Sequence, residues 1–283
     1  MGIINNKDII YKNSKTFFWA SQFLPKKILS KVINIYSFCR IHDDIVDEGM
    51  LINNSQESLQ LEEIIKSYGI SKVLIDELID GINSDINFKR YKNNSDLLRY
   101  CYKVAGVVGL MMVEALDIKG NEAKYFAIDL GIAMQLTNIS RDLMQDHIKN
   151  RIYFPENTGI NENTLNNMTI DNKDLLKKVT NQLLLKADIY YNSSLNGIRY
   201  IPIKSRISIL IALRIYQGIG VKIRKTGTKY LYENIFVSKF EKSIIVIKTI
   251  FEFIIFFIIP YYKENHKEYL HESLSGMIDV NQK

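Results

Sequence analysis

The feature that most constrains this 283-residue chain is a polar stripe on an otherwise apolar segment. Gln135, Asn138, Asp142 and Asp146 advance by three, four and four residues, so on an α-helix they share one face. Ile132, Ala133, Met134, Leu136, Ile139, Leu143 and Met144 surround them. A helix with such neighbours is buried, and burying amides and carboxylates without partners costs kilocalories per group. The stripe must therefore face a polar cavity, and a cavity requires a second wall of protein opposite it.

The segment Arg40-Ile-His-Asp-Asp-Ile-Val-Asp-Glu48 offers that wall. Asp43 and Asp47 stand at i and i+4, so their carboxylates share a helix face. Like charges so placed destabilise a helix unless a cation lies between them. Alone, such a pair reads as a solvated patch at a helix end. Opposite a second aspartate pair it reads as half of a cation site. Carboxylate and amide oxygens suit Mg²⁺, with Mn²⁺ the alternative, and Mg²⁺ commonly bridges one or two carboxylates to substrate phosphates. Arg40 precedes Asp43 by one turn, Arg141 precedes Asp142, and Asn150-Arg151-Ile-Tyr153-Phe-Pro155 follows the second pair. Arginine grips phosphate oxygens with two parallel hydrogen bonds, so this company of carboxylates and guanidiniums predicts a diphosphate grip.

The rest of the chain reads as all-α and as one domain over residues 1–283. Four prolines and fourteen glycines are too few for a sandwich or barrel, which would need a turn every dozen or so residues. Apolar periodicity predicts a short helix after Ser14 that ends near Pro25. Further helices are expected over Lys26–Glu48, Gln56–Tyr68, Ser71–Ser84, Ser95–Leu116 with Ser95 as its cap, and Glu122–Lys149. Three more, Asn172–Gly197, Lys204–Thr226 and Lys239–Ile259, close the chain, with loops at Leu51–Asn54 and Pro155–Asn167. Cys39 and Cys101, the only cysteines, sit in apolar helical stretches and read as buried thiols of a reducing compartment.

The formal charge is +6 although six acidic residues cluster in the two motifs, so the remaining surface is basic. No basic run of five and no zinc-finger spacing occurs, which excludes nucleic acid as the expected partner. Met1 to Thr16 has no apolar core of the signal-peptide type. The apolar segment Ser243–Tyr262 is interrupted by Lys248, Glu252 and Pro260 and is too short to span a bilayer. It reads as a packed helix or as a face resting on a membrane. The expected location is the cytoplasm, with peripheral contact at the inner face of the membrane.

Four segments resemble the squalene/phytoene synthase family of head-to-head prenyl transferases, and bacterial phytoene synthases in particular. The first runs from Ser14-Lys-Thr-Phe-Phe through Leu24-Pro25 to Ile35–Glu48. The second is Tyr102-Lys-Val-Ala-Gly-Val-Val-Gly-Leu-Met-Met112. The third is Asp129-Leu-Gly-Ile-Ala-Met-Gln-Leu-Thr-Asn-Ile-Ser-Arg-Asp142 and on through Asp146 to Pro155. The fourth comprises Gly197–Pro202 and Arg214–Arg224.

The resemblance implies a single-domain isoprenoid-synthase fold, helices around a central apolar cavity, with two prenyl diphosphates bound head to head. It implies Asp43 and Asp47 as metal ligands on one wall, with Asn138, Asp142 and Asp146 on the other. Diphosphate contacts are implied for Tyr36, Arg40, Gln135, Arg141, the segment Ser14-Lys15-Thr16, and also Arg151 and Tyr153. Tyr216 matches a further substrate-contacting tyrosine. Tyr102, Val104, Ala105 and Gly106 fall on a segment that lines the cavity, where small residues let prenyl chains approach the backbone. The implied chemistry is Mg²⁺-assisted loss of diphosphate, attack by the second substrate's double bond, a cyclopropyl intermediate, and a second ionisation to a triene. The expected substrate is geranylgeranyl diphosphate and no NADPH is expected. The alternatives are a thirty-carbon product (dehydrosqualene, squalene or hydroxysqualene) and a non-catalytic assembly relative, which would lack the aspartates. One departure stands out. Many relatives carry Arg where this chain has Asn234; if that Arg serves diphosphate binding, Lys239 or Lys229 must substitute.

Overall fold

The structure is a computed structural model that describes residues 15–48, 56–258 and 263–281. Among them none lies in a strand. The helices are α1 (Lys15–Ser21), α2 (Lys26–Asp47), α3 (Gln56–Lys66), α4 (Lys72–Asn83), α5 (Asn94–Cys101), α6 (Val107–Ala115), α7 (Asn121–Ile148), α8 (Glu162–Asn166), α9 (Ile170–Leu195), α10 (Ile203–Thr226) and α11 (Lys239–Ile258). The all-α expectation therefore holds for the described residues. The loop expected at Leu51–Asn54 lies outside them.

Three local expectations are corrected. Asn93, not Ser95, caps α5: its Oδ1 accepts the backbone N–H groups of Ser95 and Asp96, satisfying donors that the first helical turn leaves free. The helix expected over Ser95–Leu116 is divided by a π-helical turn at Tyr102–Gly106, a device that turns side chains out of α register. The expected loop Pro155–Asn167 contains α8, which Asn161 and Thr164 start with a reciprocal capping box.

The long helix α7 organises the rest. It buries Phe126, Ile128, Ile132, Ala133, Leu136, Ile139 and Leu143, and packs against α6, α9, α10 and the π turn. Two glycines permit its closest approaches. A Cβ on Gly131 would lie 2.2 Å from the Ala105 carbonyl oxygen, and one on Gly109 would lie 2.2 Å from that of Ala127. Thr137 adds a buried hydroxyl contact of 3.0 Å to Tyr191.

Between α1, α2, α6, α7 and α10 the helices leave a chamber of about 720 Å³. Its walls are mostly apolar, with Val104, Ala105, Val108, Met112, Leu130 and Met134 among them. Helix α11 buries Val246, Thr249 and Phe256 but leaves Phe240, Ile244, Ile247, Phe251, Ile254 and Ile255 exposed. No helix among the described residues is long and apolar enough to cross a membrane.

Backbone-to-backbone contact at Gly131 cannot relax by turning a side chain. Gly131→Ala is therefore expected to destabilise the protein by about 2 kcal/mol or more, read as a lowered urea midpoint with an unchanged slope.

Candidate active site

The C-terminal ends of α2 and α7 meet at the mouth of the chamber. Helix α7 stops in a left-handed turn: Asn150 has φ 59°, its N–H donates to the His147 carbonyl, and the Arg151 N–H donates to the Asp146 carbonyl. This is the double hydrogen bond that closes many helices, with Asn tolerating the left-handed residue. The turn sends Lys149 and Arg151 across to α2. Lys149 Nζ lies 2.7 Å from Asp47 Oδ2, and Arg151 Nη1 donates to Asp47 Oδ1 at 2.6 Å. Two cations at the end of one aspartate helix thus neutralise a carboxylate of the other.

Two further charges have local partners. Arg141 Nε donates to Asp142 Oδ1 at 2.7 Å, and Arg40 pairs with Asp44 rather than Asp43. The carboxylates left without a cation feel one another. Asp43 lines the chamber mouth, hemmed by protein yet open to solvent. Desolvation, with Asp47, Asp85 and Asp44 nearby, raises its pKa to about 7 against the pull of Arg40. Asp146 is raised to about 8 by burial and by Asp142. Burial pushes Asp47 up as well, but its bonds to Lys149 and Arg151 outweigh this and hold it below the usual carboxylate range.

Asp85 is the residue that sequence reading missed. It follows α4, accepts hydrogen bonds from Tyr100 (2.8 Å) and Tyr153 (2.9 Å) through Oδ2, and leaves Oδ1 buried without a partner. Its charge acts on Asp43 and on Asp146, so it stands between the two pairs. Burial is the main reason its own pKa is raised. A lone aspartate in a loop carries no periodic signal, and its tyrosines come from 15 and 68 residues away. Only the fold shows it.

Of the residues singled out from sequence, Tyr36, Arg40, Asp43, Val104, Ala105, Gln135, Asn138, Arg141 and Tyr216 line the chamber. Asn138 Oδ1 is buried and without a hydrogen-bond partner. Phe17 joins them, its ring 5.7 Å from Tyr36 and 5.6 Å from Tyr216. Asp142 and Asp146 line an adjoining cleft of about 370 Å³ together with Arg141, Gln145, Lys149 and Asn234. Asn234 accepts from Gln145 there. The lysine in that cleft is Lys149; neither Lys229 nor Lys239 lines it.

Two further expectations change. Tyr102 is fully buried and donates to the Ile278 carbonyl at 2.7 Å, so it faces the C-terminal segment rather than the chamber. Gly106 is buried against Tyr102 and Ile128 and does not line the chamber. Tyr153 donates to Asp85 and Arg151 to Asp47, so both stand with the carboxylates at the mouth and outside the chamber lining. The π turn accounts for the first two, because it rotates Tyr102 and Gly106 away from Val104 and Ala105. Ser14 lies outside the described residues, as do the side chains of Lys15 and Thr16.

Comparison with known proteins agrees with this geometry. The squalene/phytoene synthase family profile matches residues 10–62 and 56–241. The chain is 31% identical over 248 residues to the 15-cis-phytoene synthase of Pantoea ananas, covering 76% of this chain and 80% of that one. It is 28% identical to the 4,4'-diapophytoene synthase of Staphylococcus haemolyticus, over 81% and 89% of the two chains. The crystal structure of a ligand-bound dehydrosqualene synthase superposes with a TM-score of 0.76 at 28% identity, covering 87% of this chain and 94% of that one. Sequence, fold and an apolar chamber with acidic helix ends converge, and the chain belongs to the squalene/phytoene synthase family of prenyltransferase enzymes.

Proposed function

We propose that the protein is a phytoene synthase, joining two geranylgeranyl diphosphates head to head through a cyclopropyl diphosphate to the forty-carbon triene. The observation that carries this reading is an apolar chamber whose mouth is ringed by carboxylates on two helices, in a chain similar to bacterial phytoene synthases. The mouth suits a divalent cation. Asn138 Oδ1 and Asp85 Oδ1 are buried oxygens without partners, and Asp43 and Asp146 are pushed toward the protonated form by desolvation and by their neighbouring carboxylates. Asp43 and Asp47 would hold Mg²⁺ on one wall, with Asn138, Asp142 and Asp146 on the other. The bound ion supplies Lewis-acid withdrawal of the diphosphate.

The chain's own groups do the rest. Arg141 pairs with Asp142, and Lys149 and Arg151 pair with Asp47. With those carboxylates holding a divalent cation, the three side chains would be placed to grip phosphate oxygens. Tyr36, Tyr216 and Phe17 place ring faces at the mouth, where an allylic cation would form. Val104, Ala105, Val108 and Met134 keep water from it. The outward stripe of α11 supports a peripheral membrane contact, flanked by the exposed Lys239 and Lys248.

A second reading, condensation of farnesyl diphosphate to a thirty-carbon product, is favoured by the likeness to the dehydrosqualene and diapophytoene synthases. Purified protein with Mg²⁺ and geranylgeranyl diphosphate, without NADPH, is expected to make a forty-carbon hydrocarbon. Product from farnesyl diphosphate alone, or a strict NADPH requirement, would select the thirty-carbon reading. Asp142→Ala and Asp47→Ala are each expected to abolish turnover while the melting temperature stays within a few degrees.

The electrostatics give a separate test. A carboxylate whose folded pKa is raised keeps its proton after the unfolded chain has lost its own, so metal-free protein should weaken as pH rises from the ordinary carboxylate range toward about 7 and about 8, the folded values of Asp43 and Asp146, and level off above them. Millimolar Mg²⁺ relieves that repulsion, so the rise in melting temperature it produces should be larger at pH 8 than at pH 6. An increment equal at both pH values, or unchanged in Asp43→Asn, would place the cation elsewhere.

A further inference from the structure

Asp129 on α7 is fully buried and receives one imidazole on each oxygen. His266 Nε2 lies 3.0 Å from Oδ2, and His271 Nε2 lies 3.1 Å from Oδ1. Both histidines are buried and belong to the C-terminal segment 263–281. Their protonation follows from their partners. The backbone N–H of Asn281 donates to His271 Nδ1 at 2.8 Å, so that nitrogen carries no proton and Nε2 carries the one that meets Asp129. Asn281 Nδ2 lies 3.0 Å from His266 Nδ1 and sets the same tautomer there. The three side chains are close enough to hold a metal ion. Coordination through His271 Nε2 needs a free lone pair on that atom, however, and the Asn281 contact leaves a proton on it. The cluster is a hydrogen-bonded clasp.

The clasp closes behind one end of the chamber. His266 meets the Phe126 ring edge-on at a centroid distance of 5.4 Å, and Tyr200 stacks on the same ring at 6.1 Å. On that side Gly197 has no room for a Cβ, which would lie 2.4 Å from Phe126 Cβ. Phe126 is 2% exposed and lines the chamber. It precedes Asp142 by sixteen residues on α7, which is about 24 Å along the helix at 1.5 Å per residue. A ligand anchored at the carboxylates runs its apolar tail toward this wedged ring.

We propose that Phe126, held by the Asp129–His266–His271 clasp, is a wall of the chamber's far part that limits the prenyl chain length accepted, with His266 as its positioning residue. The proposal rests on the prenyl diphosphate reading above. It assigns the C-terminal segment a share in specificity although none of its residues lines the chamber.

The test is calorimetric binding of unreactive thio-diphosphate analogues carrying fifteen, twenty and twenty-five carbons, with Mg²⁺, to wild type, Phe126→Ala, Phe126→Leu, His266→Ala and His266→Phe. Opening a wall of this kind is worth about tenfold or more in discrimination. Phe126→Ala should gain that factor for the longest analogue relative to the shortest, with Phe126→Leu as the milder variant should the first not fold. His266→Ala should shift the ratio the same way by a smaller factor, because the ring loses its backing. His266→Phe keeps a ring behind Phe126 and should restore the wild-type ratio. Wild-type ratios in both Phe126 variants overturn the role given to Phe126. A wild-type ratio in His266→Ala beside a changed one in the Phe126 variants overturns the positioning role. Wild type that binds none of the analogues overturns the prenyl diphosphate reading itself.

Discussion

Carboxylates crowded at one end of an apolar chamber are the constraint on which the rest of this structure depends. Asp43 and Asp47 end α2, Asp142 and Asp146 end α7, and Asp85 stands between them. Such a group is tolerable only with cations close by. The protein answers with Arg141 on Asp142, and with Lys149 and Arg151 reaching from α7 to Asp47. These contacts leave Asp43 and Asp146 uncompensated by any direct ion pair among the described contacts, and there the pKa values climb. Repulsion stored at a mouth is a standing affinity for a divalent cation.

The same constraint explains why one helix does so much. Helix α7 has to bring its acidic end to α2 while its other end walls the chamber, so it crosses the molecule and must pass close to its neighbours. Gly131 and Gly109 let it do so at backbone contact. The π turn at Tyr102–Gly106 completes the fit, giving Val104 and Ala105 to the chamber and Tyr102 to the C-terminal segment. Packing and site are one arrangement here: a shift of α7 would move the carboxylates and Phe126 together.

Polar groups far from the mouth serve the scaffold. Asp129, with two histidines, is as buried as any carboxylate among the described residues, yet burial is outweighed by their hydrogen bonds and its pKa is lowered. The contrast with Asp146 is instructive. A carboxylate with two N–H donors is settled, whereas one beside another carboxylate is poised. Burial alone tells neither story.

The sequence by itself determined the helical class, the course of α2 and α7, and the polar stripe Gln135–Asn138–Asp142–Asp146, because periodicity is a local property that no tertiary contact can alter. The facing of Asp47 by Lys149 and Arg151 was partly legible, since the basic residues follow the second pair directly; the left-handed Asn150 that aims them was not. Asp85 with Tyr100 and Tyr153, the outward turn of Tyr102, the arrival of Asn234 beside Asp146, and the clasp on Asp129 were decided only by the tertiary structure. Each joins residues far apart in the chain or turns on the register of a single helical turn. Side-chain direction at such points follows from how helices dock, and docking depends on the shape of both partners at once.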